Sequence, residues 1–308
     1  MTRFFAGEPI IQYLCLLPRQ SIPKRTKEKT NMKLYNDVEI PSMGFGTYRL
    51  EPGKTAQCVK YALQCGWKHI DTATIYRNEA EVGRGIRESG IPREQIFLTS
   101  KLQGSDRNGG YDAAIRAFEL SLEEIGTDYL DLYLIHWPAS PFFHDNWKSL
   151  NAESWRALED LYRAGRIRAI GVSNFMPRHL EELSKTARIA PMVDQIEFHP
   201  GWMQKDCLEY CRAHDILVEA WAPLIKGEAL AHPVIAGIAA AHGCSPAQAI
   251  LSWVISCGVL PLCKSETPSR IEENLRSPEI KLSPEEIRAI SSLGNIGGRC
   301  YNPDCCDF

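Results

Sequence analysis

Past residue 32 the chain settles into a regular alternation. Short apolar-centred segments lie at 44–47, 69–72, 96–100, 131–136, 169–173, 192–197, 217–221 and 259–263. Such segments read as strands buried on both faces. Between them, apolar positions recur every three or four residues at 54–65, 79–89, 112–125, 152–164, 177–185, 204–213, 234–257 and 268–275, the rhythm of amphipathic helices. Strand then helix, eight times over, predicts an α/β fold of the (β/α)8 TIM barrel type. Lys33 to Tyr35 and Val38 to Ile40, around Asn36-Asp37, predict a small hairpin ahead of the barrel. Ser245-Pro246 and Ser283-Pro284-Glu285-Glu286 have helix-start chemistry, so the long pattern at 234–257 should break near Gly243 and an extra C-terminal helix should fill 284–293.

The chain has 308 residues, 44% of them hydrophobic, enough for one large core, and no linker interrupts residues 32–308. We expect a single barrel domain there. The longer connections, Pro138 to Asn151, Pro223 to His232 and the tail from Gly294 to Phe308, lie on the carboxyl side of the strands, where barrels build their sites, and are expected to select the substrate.

The first 31 residues differ in kind. They carry six basic side chains (Arg3, Arg19, Lys24, Arg25, Lys27, Lys29) against Glu8 and Glu28, a balance of +4 that leaves −7 for the rest of a chain of net charge −3. The apolar stretch from Ile10 to Leu17 ends at Pro18 and is too short to span a membrane, and no small-residue cleavage site follows, which argues against a secretory signal. Lys27-Glu28-Lys29 can be encoded by purine-rich codons resembling a ribosome-binding sequence upstream of Met32. The expectation is that residues 1–31 are a non-native or disordered extension and Met32 the natural start, with an organellar presequence as the alternative. The small net charge and the lack of a basic stripe disfavour nucleic acid as a main partner. The 11 cysteines are scattered without a C-x-x-C pair, as expected of reduced thiols in the cytoplasm. Cys207 with Cys211, and Cys305 with Cys306, are spaced for redox chemistry but read more simply as ordinary buried or terminal residues.

Chemistry gathers at the predicted strand ends. Asp71, Tyr76, Lys101 and His136 follow one another there, a pattern suited to a phenol used as an acid. A free phenol titrates near about 10, so a neighbouring cation such as Lys101 favours its giving up a proton, and Asp71 could hold the lysine. A histidine can orient or polarise a carbonyl oxygen, which makes the set a candidate for carbonyl reduction. Ser173-Asn174 and Gln195 can grip a planar carboxamide, Trp221 offers a stacking face, and together they suit nicotinamide. Lys264, Ser265 and Arg270 fall where barrels often bind phosphate, favouring a phosphorylated ribose. Gly83-Arg84-Gly85 lacks the third glycine of a dinucleotide fingerprint and does not open a helix after a strand, which disfavours a Rossmann domain. His69-Ile70-Asp71 lacks a third ligand at metal spacing, so no metal is expected. Taken singly, each residue has a structural explanation; the combination is what points to a site.

These motifs resemble the aldo-keto reductases, especially the bacterial and protist branch with 2,5-diketo-D-gluconate reductases and prostaglandin F synthase-like enzymes. The resemblance runs from about Met32 to the end. It rests on GFGTY (44–48), HIDTATIYRNEAEVG (69–83), LTSK (98–101), DYLDLYLIHWP (128–138), IRAIGVSNF (167–175), VDQIEFHP (193–200), VEAWAPL (218–224) and KSETPSRIEEN (264–274). It implies NADPH (NADP+) bound in an extended pose across the rim and ordered hydride transfer to an aldehyde, ketone or keto-sugar. Tyr76 would be the acid, Lys101 and Asp71 would lower its pKa, and His136 would orient the carbonyl. Ser173, Asn174 and Gln195 would hold the carboxamide, with Trp221 on the ring and Pro223 and Leu224 beside the cofactor. Lys264, Ser265 and Arg270 would take the 2′-phosphate, Glu273 and Asn274 the adenine side. Many relatives have K-L-W where this chain has Gln103, and I-P-K-S where it has Leu262-Cys263-Lys264-Ser265. Tyr48, Gln103, Trp137 and Tyr301 are the substrate-pocket candidates. The expected protein is a cytoplasmic monomer or weak oligomer with a small-molecule carbonyl substrate, independent of membranes. A cofactor-sensing binding subunit and a barrel hydrolase or isomerase are the competing readings.

Overall fold

The computed structural model describes residues 31–139 and 145–304. Ten strands are described: β1 Asn31–Lys33, β2 Glu39–Pro41, β3 Gly44–Gly46, β4 His69–Asp71, β5 Phe97–Leu102, β6 Leu130–Ile135, β7 Ile167–Ser173, β8 Val193–Glu197, β9 Leu217–Trp221 and β10 Leu260–Cys263. The last eight close into a parallel barrel in sequence order, with β10 returning to β3. Around it run α1 Thr55–Cys65, α2 Glu79–Ser89, α3 Gly110–Ile125, α4 Trp147–Arg163, α5 Pro177–Ser184, α6 Lys205–Ala213, α7 Pro233–Ala241, α8 Pro246–Ser256, α9 Pro268–Leu275 and α10 Pro284–Ser291.

Local chemistry accounts for most boundaries. Glu79 and Glu81 stand in the first turn of α2, Arg87 in its last, and Gly90 closes it in the left-handed region. The expected break near Gly243 separates α7 from α8, whose start is fixed by a reciprocal Ser245–Gln248 capping box. Two expectations need correction. The hairpin pairs Asn31 with Pro41 and Lys33 with Glu39, so Leu34 to Val38 forms its loop; the Leu34 amide donates to Val38, which makes the connection wider than an Asn-Asp turn. Helix α4 starts at Trp147, shortening the predicted Pro138–Asn151 connection.

Strands β5 and β6 are buried at every position, so the polar side chains they carry, Thr99, Ser100, Lys101 and Asp131, are buried with their apolar neighbours. Trp67, Trp155 and Trp253 are buried between the barrel and the helices, and each indole N–H reaches an acceptor: Ile271 O, Ile189 O and Ser291 Oγ at 3.1, 2.9 and 3.0 Å. Among the described residues no single helix is long and apolar enough to cross a membrane.

The glycines dismissed as a nucleotide loop serve helix packing. A Cβ on Gly83 would lie 1.8 Å from the Ile125 carbonyl oxygen at the end of α3, and one on Gly85 would lie 2.6 Å from Ala56 O of α1. Gly83→Ala must therefore push backbone against backbone. We expect a loss of at least about 2 kcal/mol, read as a lower denaturant midpoint; an unchanged midpoint would contradict this packing.

Candidate active site

The barrel strands deliver their side chains to one end. Lys101, near the end of β5, is fully buried; its Nζ donates to both Asp71 carboxylate oxygens and to Thr72 O at 2.8 Å, and lies 3.3 Å from the Tyr76 hydroxyl. Tyr76 sits in a short 3-10 turn, Thr74–Tyr76, directly after β4. Its ring faces His136 edge-on at 5.8 Å and Tyr48 at 4.9 Å. All four residues of the expected quartet thus meet around the phenol.

Electrostatics refine the expected roles. Burial pulls the Lys101 ammonium down, but the Asp71 carboxylate and the Tyr76 hydroxyl outweigh it, and the net shift is upward. Lys101 therefore stays cationic. Burial pushes the Tyr76 phenol up to about 12; Lys101 opposes this and Asp71 adds to it. The expectation that Asp71 lowers the phenol is corrected: its charge acts the other way, and its service is to hold Lys101. Burial, with Lys101 nearby, keeps His136 neutral, far below the usual histidine range. Its Nδ1 is enclosed and has no partner among the described residues.

His69, on the same strand as Asp71, is also buried, with Nε2 2.9 Å from Thr99 Oγ1 and its titration pushed down to about 3. Both imidazoles are neutral when folded and free to charge when unfolded. Below about pH 6.5 the unfolded chain binds more protons, so stability is fully present above that pH and is lost as it falls toward the folded values. Each such group contributes a slope of about 1.4 kcal/mol per pH unit, and His69→Gln should remove one such share. Urea unfolding between pH 6.5 and 4 measures this; an identical slope in the variant would contradict it.

The expected nicotinamide residues are also neighbours. Ser173 pairs with Gln195, and Gln195 with Glu219, across β7, β8 and β9. Asn174, left-handed at φ 62°, donates to His136 O and Ser173 Oγ at 3.0 Å and accepts the Trp221 indole N–H at 2.8 Å. The Ser173 hydroxyl donates to Gln195 O at 2.7 Å. After β9, Ala222, Ile225 and Lys226 have φ of 52°, 49° and 54°, rare values for side-chain-bearing residues, in the loop that carries Pro223 and Leu224. Strain of this kind gathers at functional sites.

At the end of β10, Lys264 is partly exposed, with Nζ donating to Arg49 O at 2.8 Å and lying 3.5 Å from Glu266. Arg270 is exposed near the start of α9, and the Ser265 hydroxyl accepts the Thr267 amide at 3.1 Å. Glu273 is partly held by packing duties, accepting from the Ser245 hydroxyl, and Asn274 is buried.

The substrate-side candidates divide between rim and wall. Tyr48 is exposed, Gln103 and Trp137 are buried, and Tyr301 of the tail stands edge-on to Trp137 at 6.2 Å. Two residues that the sequence reading overlooked hold this wall. Arg107 is buried, has no carboxylate partner among the described residues, and donates to Trp137 O at 2.8 Å. The buried Glu197 carboxylate accepts the backbone amides of Arg299 and Cys300, each at 2.6 Å, tying the tail to the end of β8. Cys207 and Cys211 are buried over Asp194, with Cys207 Sγ 3.3 Å from Phe175 O. Cys305 and Cys306, like residues 1–30, lie outside the described residues.

The model of the Aldo/keto reductase family matches residues 42–295. Glyoxal reductase of Bacillus subtilis is 46% identical over 280 residues, covering 91% of this chain and 98% of its own. The 9,11-endoperoxide prostaglandin H2 reductase of Trypanosoma cruzi is 46% identical over 272 residues, covering 86% of this chain and 93% of its own. Among solved structures, an aldo-keto reductase from a Medee basin deep-sea metagenome superimposes with a TM-score of 0.84 at 38% identity, covering 90% of this chain and 100% of that one. The Bombyx mori aldo-keto reductase in complex with NADP superimposes with a TM-score of 0.77 at 30% identity, covering 85% and 91%.

Proposed function

The chain belongs to the aldo/keto reductase family, and on that premise we propose that it reduces an aldehyde or ketone, as a small carbonyl compound or keto-sugar, to the alcohol, with NADPH as reductant and Tyr76 as general acid. The observation that carries this reading is the Lys101 ammonium, buried against Asp71 and reaching the Tyr76 hydroxyl.

NADPH when bound supplies the hydride. The residues present suit it: the Trp221 ring is partly open, and Lys264 and Arg270 present cationic heads at the rim. Lys264, Ser265 and Arg270 would hold the 2′-phosphate, with Glu273 and Asn274 toward the adenine; Ser173, Asn174 and Gln195 would face the carboxamide, bordered by Pro223 and Leu224.

The chain's own chemistry follows from its charges. A phenol held at about 12 keeps its proton at neutral pH and is available as an acid. As negative charge develops on the substrate oxygen, Tyr76 transfers its proton there, and the adjacent Lys101 ammonium stabilises the phenolate left behind. Asp71 keeps that ammonium in place. His136 is neutral, and its enclosed Nδ1 has no acceptor. A bare lone pair is less costly there than an orphaned N–H, so the proton resides on Nε2, available to orient the carbonyl oxygen. Tyr48, Gln103, Trp137 and Tyr301 would shape the pocket. The protein would work in the cytoplasm on a small molecule, as a monomer or weak oligomer.

The cofactor assignment is tested by Lys264→Met combined with Arg270→Ala. Loss of two charged phosphate contacts should weaken NADPH by about 100-fold and NADH by less than about threefold. Fluorescence titration reads both, and equal losses would remove the 2′-phosphate assignment. An NADPH-consumption screen over aldehydes, α-diketones and keto-sugars tests the reaction itself.

A further inference from the structure

Beneath the nicotinamide residues lies a carboxylic acid that the proposed reaction does not use. Glu219, the centre of β9, is fully buried, and strand register sets it directly beside Gln195. Gln195 Nε2 donates to Glu219 Oε2 at 2.9 Å and to Asp71 Oδ2 at 2.9 Å. An amide nitrogen has two protons, and these two carboxyl groups take both.

The consequence concerns which end of the amide faces a ligand. One acceptor would fix a single N–H and leave the amide able to swing about it. Two acceptors, on β4 and β9, fix its plane and its sense. Reversing the amide would set its carbonyl oxygen against the Asp71 carboxylate, which already shares its charge with Lys101. In the locked sense Oε1 is the outward atom, and among the described residues no donor reaches it. Ser173 and Asn174, by contrast, already spend their donors on backbone carbonyls and on each other.

We infer that Glu219 is a positioning residue: with Asp71 it locks the Gln195 side chain so that its amide oxygen is presented as the acceptor for the carboxamide N–H of a bound nicotinamide. This rests on the cofactor reading above. Burial first, with the Asp71 charge adding, pushes Glu219 up to about 8, so it is largely neutral near pH 7. A carboxyl group accepts from an amide in either state, so the lock holds across neutral pH. Asp71 thereby joins the two halves of the site: the same carboxylate holds the lysine behind the acid and the glutamine facing the cofactor.

The test compares Glu219→Met, which removes the acceptor, with Glu219→Gln, which keeps one. Two ligands are titrated on each: NADPH, and adenosine 2′,5′-bisphosphate, which lacks the nicotinamide. Glu219→Met should weaken NADPH by about tenfold and leave the bisphosphate within about twofold. Glu219→Gln should restore NADPH to within about threefold of the unmodified protein. Equal weakening of both ligands, or of neither, overturns the positioning role, as does an equal effect of the two substitutions. Should Glu219→Met not fold, the unmodified protein decides through hydrogen exchange of glutamine side-chain amides. The pair that disappears in Gln195→Leu should exchange at least about 100-fold more slowly than exposed Gln57, and exchange at the same rate overturns the lock. Failure of the unmodified protein to bind NADPH would instead overturn the cofactor reading, and the inference with it.

Discussion

Tyr76→Phe is expected to lower the rate of aldehyde reduction by about three orders of magnitude while leaving NADPH affinity within about twofold. The expectation follows from what the substitution removes. The ring remains, with its edge-on contact to His136 at 5.8 Å and its contact to Tyr48 at 4.9 Å, so the pocket keeps its shape. Only the hydroxyl beside Lys101 is lost. Without it no described group combines a readily transferable proton with a buried cation to stabilise the resulting anion: His136 is neutral, and giving up its Nε2 proton would leave an imidazolate. Steady-state rates with a reactive aldehyde, alongside fluorescence titration of NADPH, measure both halves. Activity near the unmodified level would show that another group supplies the proton.

Lys101→Met should damage folding and chemistry together, and the two losses can be separated. The ammonium makes its Asp71 and Thr72 contacts out of reach of water. Removing it strands the Asp71 carboxylate, and breaking a buried pair from one side costs about 3–5 kcal/mol. Thermal unfolding should therefore shift down by about 5–9 °C. Adding Asp71→Asn neutralises the stranded charge and should return most of the stability. It should not return activity, because the phenolate would still form without a neighbouring cation. Recovery of turnover in the double variant would assign Lys101 a structural role only.

Much of this is legible in the sequence. The barrel was readable because its short apolar-centred strands alternate with amphipathic helices, and because helix starts such as Ser245-Pro246 carry their own chemistry. Helix α9 begins and ends where its pattern does, at Pro268 and Leu275. The quartet was readable because the fold sends strand ends to one rim. What stayed hidden depended on contacts between distant segments. Glu219 sits within an apolar run as its one acidic residue, and only the closed barrel brings Asp71, 124 positions away from Gln195, to the other side of the same amide. Glu197 looked like part of a strand motif; its partners are backbone amides of the tail 102 and 103 residues later, which have no side-chain signature. The early start of α4 was missed because Trp147 to Leu150 are largely exposed, so their helical rhythm was weak. The direction of the Asp71 effect on Tyr76 needed distances, since one carboxylate acts on the lysine and the phenol at once.

The central claim is that hydride passes from NADPH to a carbonyl carbon at this site. The direct measurement uses NADPH carrying deuterium at both C4 positions, an aldehyde substrate, and mass spectrometry of the alcohol. The account predicts one deuterium on the carbinol carbon for each NADPH consumed, and about a thousandfold slower appearance of the same product with Tyr76→Phe. NADPH that binds without being consumed across aldehydes, ketones and keto-sugars, or that is consumed without deuterium reaching the product, would contradict it.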